Sequence, residues 1–510
     1  MDSSAATVAP AELGRDGGRF ILDRTTVLWA LGAVTALGVA IRFASLGVQS
    51  YHHDEVITVA RVIPGSFGHM LHEVRVSESN PPLYYVLAWG WAKLFGSGEV
   101  GMRSLSALLG AATIPVAYLT GRELASSRAG LIAAAIVSVN PMLVWYSQEA
   151  RSYALLVFFG ALALLFFARA LRTRSARDLA LWALASALAL CSHYFAMFPA
   201  AIEGAWLLVA LRDRRREALA AIGSVVAVGL ALTPLIVVQS NGTHIGWIDR
   251  SPLSSRLFET GVSFLAGETG HVIAEPPREY YALIPATLIG AGLLFALYGS
   301  RRERRGVGLG LTVGLGVALL AGTAAAVGKD YVVERNLLPA LIPLAIAVAV
   351  GFSAGSMRRV GAVCAILLCA YWLAFDVYVD RTPNLQRPDF RDLVAHLGAP
   401  RRPRAIVTWK LAANPILYYL HDAAVRDRRG VLPVREIDVI SKPVVGARSP
   451  RLPSDFHRVA RLRLERLTLT RYMSRRLHLV RLSALRDART GFGSNAVVSD
   501  GDALSSAALR

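Results

Sequence analysis

The sequence predicts an all-α polytopic membrane protein with a small α/β domain at its C-terminal end, outside the membrane. Three observations predict it. The 510 residues are 54% hydrophobic and only 18% charged, with a mean hydropathy of +0.44; about a quarter of a soluble chain is charged. Runs of about 17–22 residues with almost no charge recur, each long enough to cross a hydrocarbon core of about 30 Å as a helix. After Asp376 the pattern changes to short mixed segments rich in arginine.

Taken in order, a polar leader (1–26) precedes the first apolar run, 27–46. That run is too long for a signal h-region and lacks a small-residue cleavage site, so it reads as a retained helix. Further runs lie at 104–120, 130–146, 154–171, 179–194, 197–211, 218–238, 281–299, 307–327, 336–353 and 359–376. Together they give about 11 transmembrane helices over 27–376. The fifth and sixth are short and share the polar hinge CSHYF, 191–195. The apolar segment PPLYYVLAWGWAKLFG, 81–96, belongs to the first loop, 47–103. Counting it as a span would reverse every later helix. Lys93, Trp89 and Trp91 give it interfacial character, and Pro81 and Pro82 suit a helix start, so it reads as a helix on the outer surface.

Alternate connections share a side. One set, with Arg122, Arg128, Arg172, Arg174, Arg177 and the clusters at 212–216, 301–305 and 358–359, holds fifteen positive residues. The short connections of the other set hold three: Arg151, Lys329 and Arg335. The positive-inside rule puts the N-terminus in the cytoplasm and the 47–103 loop, the 239–280 loop and everything after Asp376 outside. In the last region, RPRAIVTWKLAANPILYYLHD (402–422) reads as a strand followed by an amphipathic helix. An extracytoplasmic domain is therefore expected over 377–485, and a disordered tail over 486–510. The positive charge of this domain suits anionic lipid headgroups or acidic glycans, or is simply a solvated surface.

Charge and cysteine content exclude other classes. The net charge of +19 resides largely in arginine clusters between apolar runs, so it points to cytoplasmic loops and membrane lipids, not to nucleic acid. Cys191, Cys364 and Cys369 all fall inside apolar runs and cannot staple loops by disulfides.

Four polar islands survive at the outer helix ends: Arg42 with YHHDE (51–55), SQEARSY (147–153), SHYF (192–195) and KDYVVERN (329–336). An ionisable group at a helix centre costs about 2.5–3.5 kcal/mol on insertion scales, so four such islands facing one leaflet point to a shared polar cavity. Asp54 and Glu55 can accept a proton or hold a cation. Arg151 and Arg335 are fixed cations whose planar forks match phosphate oxygens. Tyr153, Tyr194 and Tyr331 can donate hydrogen bonds.

RFASLGVQSYHHDEVIT with NPPLYYVLAWGWAKLFGSGEVGMRSLSALLG, then NPMLVWYSQEARSYAL and ERNLLPALIPLA, resemble in order the hallmarks of GT-C glycosyltransferases. The branch is that of glycosyltransferase family 39, with the protein O-mannosyltransferases and aminoarabinose transferases. The resemblance covers roughly residues 40–350. It implies transfer of a sugar from a polyprenyl-phosphate donor to an acceptor hydroxyl on the outer face, with inversion. On this chain it implies Asp54 as general base, Glu55 orienting Asp54 or the acceptor, and Arg151, Arg335 and Lys329 on the leaving phosphate. Tyr153, Tyr331 and Arg42, from the same polar islands, are further candidates to bind the lipid phosphate or the sugar.

Some relatives bind a divalent metal at this site and others do not. His52, His53, Glu149 and His193 are ligand types, without a recognisable ligand spacing. The acceptor is a cell-envelope glycan, lipid or protein. No insertion of β-trefoil size stands between the runs, which turns the reading away from protein, and the helix count turns it away from lipid A. Richness in Ala, Arg and Gly reads as bacterial, which makes the plasma membrane the expected site. The rival class is a transporter or flippase of lipid-linked or anionic substrates; polar groups gathered at one face, without an internal repeat, favour surface chemistry over alternating access. A noncatalytic scaffold of the same fold is the third reading.

Overall fold

A computed structural model describes residues 23–242, 248, 251–268, 278–421, 423–426, 430–443, 448–491 and 493–500. Among them eight helices are long and apolar enough to cross a membrane: Arg24–Ala44, Glu99–Leu124, Tyr153–Thr173, Arg212–Asn241, Glu279–Tyr298, Arg301–Ala326, Glu334–Phe352 and Gly355–Arg381. A ninth span is a pair, Ser127–Val139 and Pro141–Ser147, bent by 57°. The short fifth and sixth runs become helices Ala176–Ser192 and Met197–Ala210. Every expected span thus falls on helix, and eight or nine meet the length and apolarity of a crossing. The chain is a multi-pass membrane protein with a separate C-terminal sheet domain.

The bend has a local cause. Pro141 excludes the helical region for Asn140, which turns extended (φ −67°, ψ 123°), and its side chain accepts from the Leu143 amide at 3.2 Å, capping a new helix. Pro141 also has no N–H for the Val137 carbonyl. Arg42, with no exposed surface, supplies it: Nη2 donates to Val137 O at 2.9 Å and Nη1 to Ser138 O at 2.8 Å and Gly38 O at 3.1 Å, while Nε donates to Ser147 Oγ at 3.1 Å. A side chain at Gly110 has no room here, since its Cβ would lie 2.0 Å from Ser147 Oγ. Arg42→Leu leaves these buried carbonyls unpaired and is expected to cost about 2–3 kcal/mol. The loss should appear as a lower thermal aggregation midpoint in detergent.

The ends of the bundle differ. Arg172 pairs with Glu123, Arg174 with Asp213, and Arg302 Nη2 donates to Glu123 O at 2.8 Å, so the arginine-rich connections meet at one end. Arg151 and Arg172 flank opposite ends of the Tyr153–Thr173 helix, about 30 Å apart at 1.5 Å per residue. In the first loop, Leu83–Phe95 has 13 residues, about 20 Å, too few to cross. It buries Tyr84, Tyr85 and Ala88, while Leu94 and Phe95 stay exposed.

The C-terminal domain holds a six-stranded sheet in the order β2-β6-β1-β3-β5-β4: β1 (Arg404–Trp409), β2 (Ala423–Val425), β3 (Val431–Ser441), β4 (His457–Leu464), β5 (Leu467–Arg481) and β6 (Asn495–Asp500). Only β1 and β3 run parallel. Helices Phe390–Leu397 and Lys410–Leu420 bury one sheet face through Phe390, Leu393, Ile416, Ile406 and Ile440. The expected strand and helix of 402–422 are both present. The expected disordered tail is corrected: β6 pairs with β1 and β2 and is wholly buried, because Ala496, Val497 and Val498 complete both hydrophobic faces. The leader to residue 22 and residues 501–510 lie outside the described residues.

Candidate functional site

The site is built around His53–Ile57, a short helix just after the first span. Its second acid, Glu55, is fully buried. Its oxygens accept from Arg103 Nε at 2.8 Å, Arg103 Nη2 at 2.6 Å, the Ala150 amide at 2.9 Å and the His52 amide at 3.3 Å. Arg103 also donates to Leu46 O, Gln49 O and Ser50 O at 2.7–3.1 Å. Glu55 and Arg103 therefore knit the loop to the Glu99–Leu124 helix. Every lone-pair direction of Glu55 is thus engaged within the protein, and the expected orienting group sits in the scaffold of the loop that carries Asp54. The Arg103 guanidinium overcomes burial and holds Glu55 well below the usual carboxylate range.

Arg151 is 6% exposed and carries its own counter-ion. Nη1 lies 2.9 Å from both oxygens of Glu78, 2.8 Å from Thr58 Oγ1 and 3.2 Å from the Asp54 carbonyl. It fixes the backbone that presents Asp54, and Glu78 neutralises it, which departs from the expected phosphate contact. The Asp54 side chain is different. It is 28% exposed and meets Arg335 Nη1, 32% exposed, at 3.0 Å. Burial pushes its carboxyl up, but Arg335, His52, Arg151 and His53 pull it down and prevail, so Asp54 titrates well below its usual range.

His52 bridges two acids, Nδ1 to Glu55 at 2.9 Å and Nε2 to Glu149 at 3.1 Å. Burial and Arg387 push the imidazole down; the bonds to Glu149 and Glu55 outweigh them and raise it. Glu149 also accepts from Arg387 Nη2 at 3.1 Å, and Arg387 stacks on Trp145 at 4.5 Å. His52, Asp54 and Glu149 each offer a ligand atom within 4.8 Å of the others. One imidazole and two carboxylates fit a divalent ion, with Lewis-acid chemistry to offer. Each donor already faces a partner (Glu55, Arg335 or Arg387), so an ion would replace these contacts.

The remaining expected residues separate. Arg42 is spent on the bent helix pair, away from any phosphate role. His193 is 4% exposed and its Nδ1 caps the Phe195 amide at 3.2 Å, outside the ligand trio. His53 turns to Asn414 Nδ2 at 3.3 Å, also outside it. Lys329 is exposed and its side chain makes no ion pair among the described residues. Tyr153 and Tyr331 belong to a file of rings: Tyr146–Tyr153 at 4.9 Å, Tyr153–His193 at 5.7 Å, His193–Phe195 at 5.6 Å and Phe195–Tyr331 at 6.3 Å. Sequence reasoning missed Arg103, Glu78 and Arg387; the available signal for Arg103 was an arginine one turn inside an apolar helix.

The titrations set a pH window for the outer loop. Asp54, Glu55 and Glu149 have lowered values, so their contribution is full above the ordinary carboxylate range and is lost as pH falls through the depressed values. His52 is raised, so its contribution is full below about 6.5 and is lost as pH rises through its folded value. Burial lowers His53, which acts the other way and loses its contribution as pH falls below about 6.5, so the part assigned to His52 is the loss of stability as pH rises. His52→Gln should flatten the alkaline side, measured as the unfolding midpoint against pH.

Residues 79–238 match the family described as dolichyl-phosphate-mannose-protein mannosyltransferase. That stretch is less than a third of the chain, so the likeness to this family is a likeness of those residues. They include Arg103, Arg151, Tyr153 and His193. Among solved structures, the Saccharomyces cerevisiae protein O-mannosyltransferase Pmt1–Pmt2 complex bound to the sugar donor is 22% identical, over 42% of this chain and 32% of that one, with a TM-score of 0.32. This chain therefore spans about a third of that yeast protein. ArnT from Cupriavidus metallidurans bound to undecaprenyl phosphate is 14% identical over 88% and 98%, with a TM-score of 0.42. The oligosaccharyltransferase of Archaeoglobus fulgidus is 13% identical over 73% and 58%, with a TM-score of 0.44. None of the curated proteins matches this chain.

Proposed function

We propose that the chain transfers a sugar from a polyprenyl-phosphate donor to an acceptor hydroxyl on the outer face of the membrane, with inversion. One observation carries the reading. Within the cluster, Glu55, Glu78, Glu149 and Arg103 are locked in buried pairs, whereas Asp54 and Arg335 form a pair open on both sides. An open carboxylate–guanidinium pair can be parted by a substrate that presents a phosphate to one member and a hydroxyl to the other.

The donor phosphate draws Arg335 from Asp54 by charge. Asp54 then loses the cation that most depresses its titration and becomes a stronger base. The acceptor oxygen attacks the anomeric carbon and gives its proton to an Asp54 oxygen. The carbon–oxygen bond to phosphate breaks on the opposite side, and the phosphate leaves with the electron pair and its charge, stabilised by Arg335. One displacement inverts the centre, and no covalent intermediate forms. Arg151, Glu78, Arg103 and Glu55 hold the loop in place throughout.

The test is release of polyprenyl phosphate from a panel of labelled polyprenyl-phosphate sugars by the full chain in proteoliposomes. Arg335→Gln should lower the rate by about 10²-fold, as loss of one charge-stabilising donor does. A chain that turns over none of the donors, or an Arg335→Gln variant with the original rate, would remove the reading.

A further inference from the structure

Beside Asp54 lies a shelf made by the C-terminal domain. The Lys410–Leu420 helix packs on the His53–Ile57 helix. Asn414 Nδ2 lies 3.3 Å from His53 Nδ1, and the His53 ring also donates to the Leu411 carbonyl. Tyr419 fastens the other end, where its hydroxyl accepts from the Tyr51 amide at 2.7 Å and donates to Glu99 at 2.7 Å. Leu411 is 51% exposed and Lys410 is exposed on the same first turn. Arg61 stands exposed on a π-helical turn, Thr58–Val62, that continues directly from the His53–Ile57 helix. Single π-turns of this kind are frequent at functional sites.

The charge balance is uneven. Arg103, Arg151, Arg335 and Arg387 each face a carboxylate. Among the described residues neither Arg61 nor Lys410 has an ion pair, and neither side chain has a hydrogen-bond partner. Among the described residues these two cations thus stand exposed without a counter-ion, Arg61 on the turn that follows the Asp54 helix and Lys410 at the start of the helix packed on it.

Resting on the reading of Asp54 as the base, we infer that the acceptor is anionic, with a carboxylate or phosphate near its reacting hydroxyl that Arg61 and Lys410 hold against the His53–Asn414 shelf. The hydroxyl then meets Asp54 while the charged group stays at the exposed rim. Rim charges of this kind set selectivity and respond to salt more than they set total affinity.

The test reads binding and needs no donor, so it is separate from the transfer assay. Three probes are offered to the full chain in lipid nanodiscs: methyl β-glucuronide, methyl β-glucoside 6-phosphate and neutral methyl β-glucoside. Saturation-transfer NMR gives each affinity. Both charged probes should bind about five- to tenfold more tightly than the neutral one, an advantage that shrinks with salt. The R61Q/K410Q variant should lose this advantage, whereas K410R should keep it. Preference for one charged probe identifies a carboxylate or a phosphate as the recognised group. Equal binding of all three by the original chain, or an advantage that survives R61Q/K410Q, would overturn the inference. Absence of sugar transfer with this binding intact would instead count against the reading above.

Discussion

Asp54→Asn is expected to lower sugar transfer by about 10³-fold, within the range spanned by general bases. The amide has nearly the same shape and keeps a contact to Arg335, whose own side chain is partly open to water, so no buried charge is stranded. Expression and unfolding midpoint should therefore stay close to those of the original chain. Donor affinity should hold or rise, because Arg335 is released from its carboxylate before the phosphate arrives. The measurement is release of polyprenyl phosphate in proteoliposomes, with donor KM and kcat determined separately. A fall in kcat at unchanged or lower KM supports the base. A variant with full kcat would show that another group takes the proton.

Arg103→Ala is expected to act on stability instead. The substitution leaves Glu55, fully buried, facing the gap where two charge-assisted bonds had been. It also strips Leu46 O, Gln49 O and Ser50 O of their donor. Breaking one side of a buried pair costs about 3–5 kcal/mol. The loop that carries Asp54 should lose its native packing, with a large drop in unfolding midpoint and loss of the proposed transfer as a consequence. Adding Glu55→Gln removes the stranded charge, so the double variant should recover part of the midpoint. A double variant no better than Arg103→Ala would show that the carbonyl contacts, not the ion pair, carry the cost.

Much of the fold was legible because lipid imposes length and apolarity on every crossing segment. Each expected span falls on helix, and the arginine clusters gather at one end, opposite Asp54. The pairing of Asp54 with Arg335, 281 residues apart, was implicit in their shared end of the bundle. The closed pairs were not legible. Arg103–Glu55, Arg151–Glu78 and Arg387–Glu149 join residues 48, 73 and 238 positions apart, and nothing local in sequence marks a carboxylate as some distant arginine's partner. Glu78 stands in SESNPP, which reads as ordinary loop. Asn140–Pro141 did carry a visible signal for the bend, but apolarity on both sides masks it as one continuous run. NAVVSD, only six residues in a polar context, gives no periodicity to set against a tail; its burial comes from neighbours supplied by distant parts of the chain.

The position of β6 also governs biogenesis. The loop that carries Asp54 emerges from the ribosome well before residues 495–500, which supply an interior strand of the sheet behind its shelf. Cotranslational insertion can therefore place the helices before that sheet is complete. A premature stop a few codons before β6 would spare every membrane helix and still leave β1 and β2 without the partner between them.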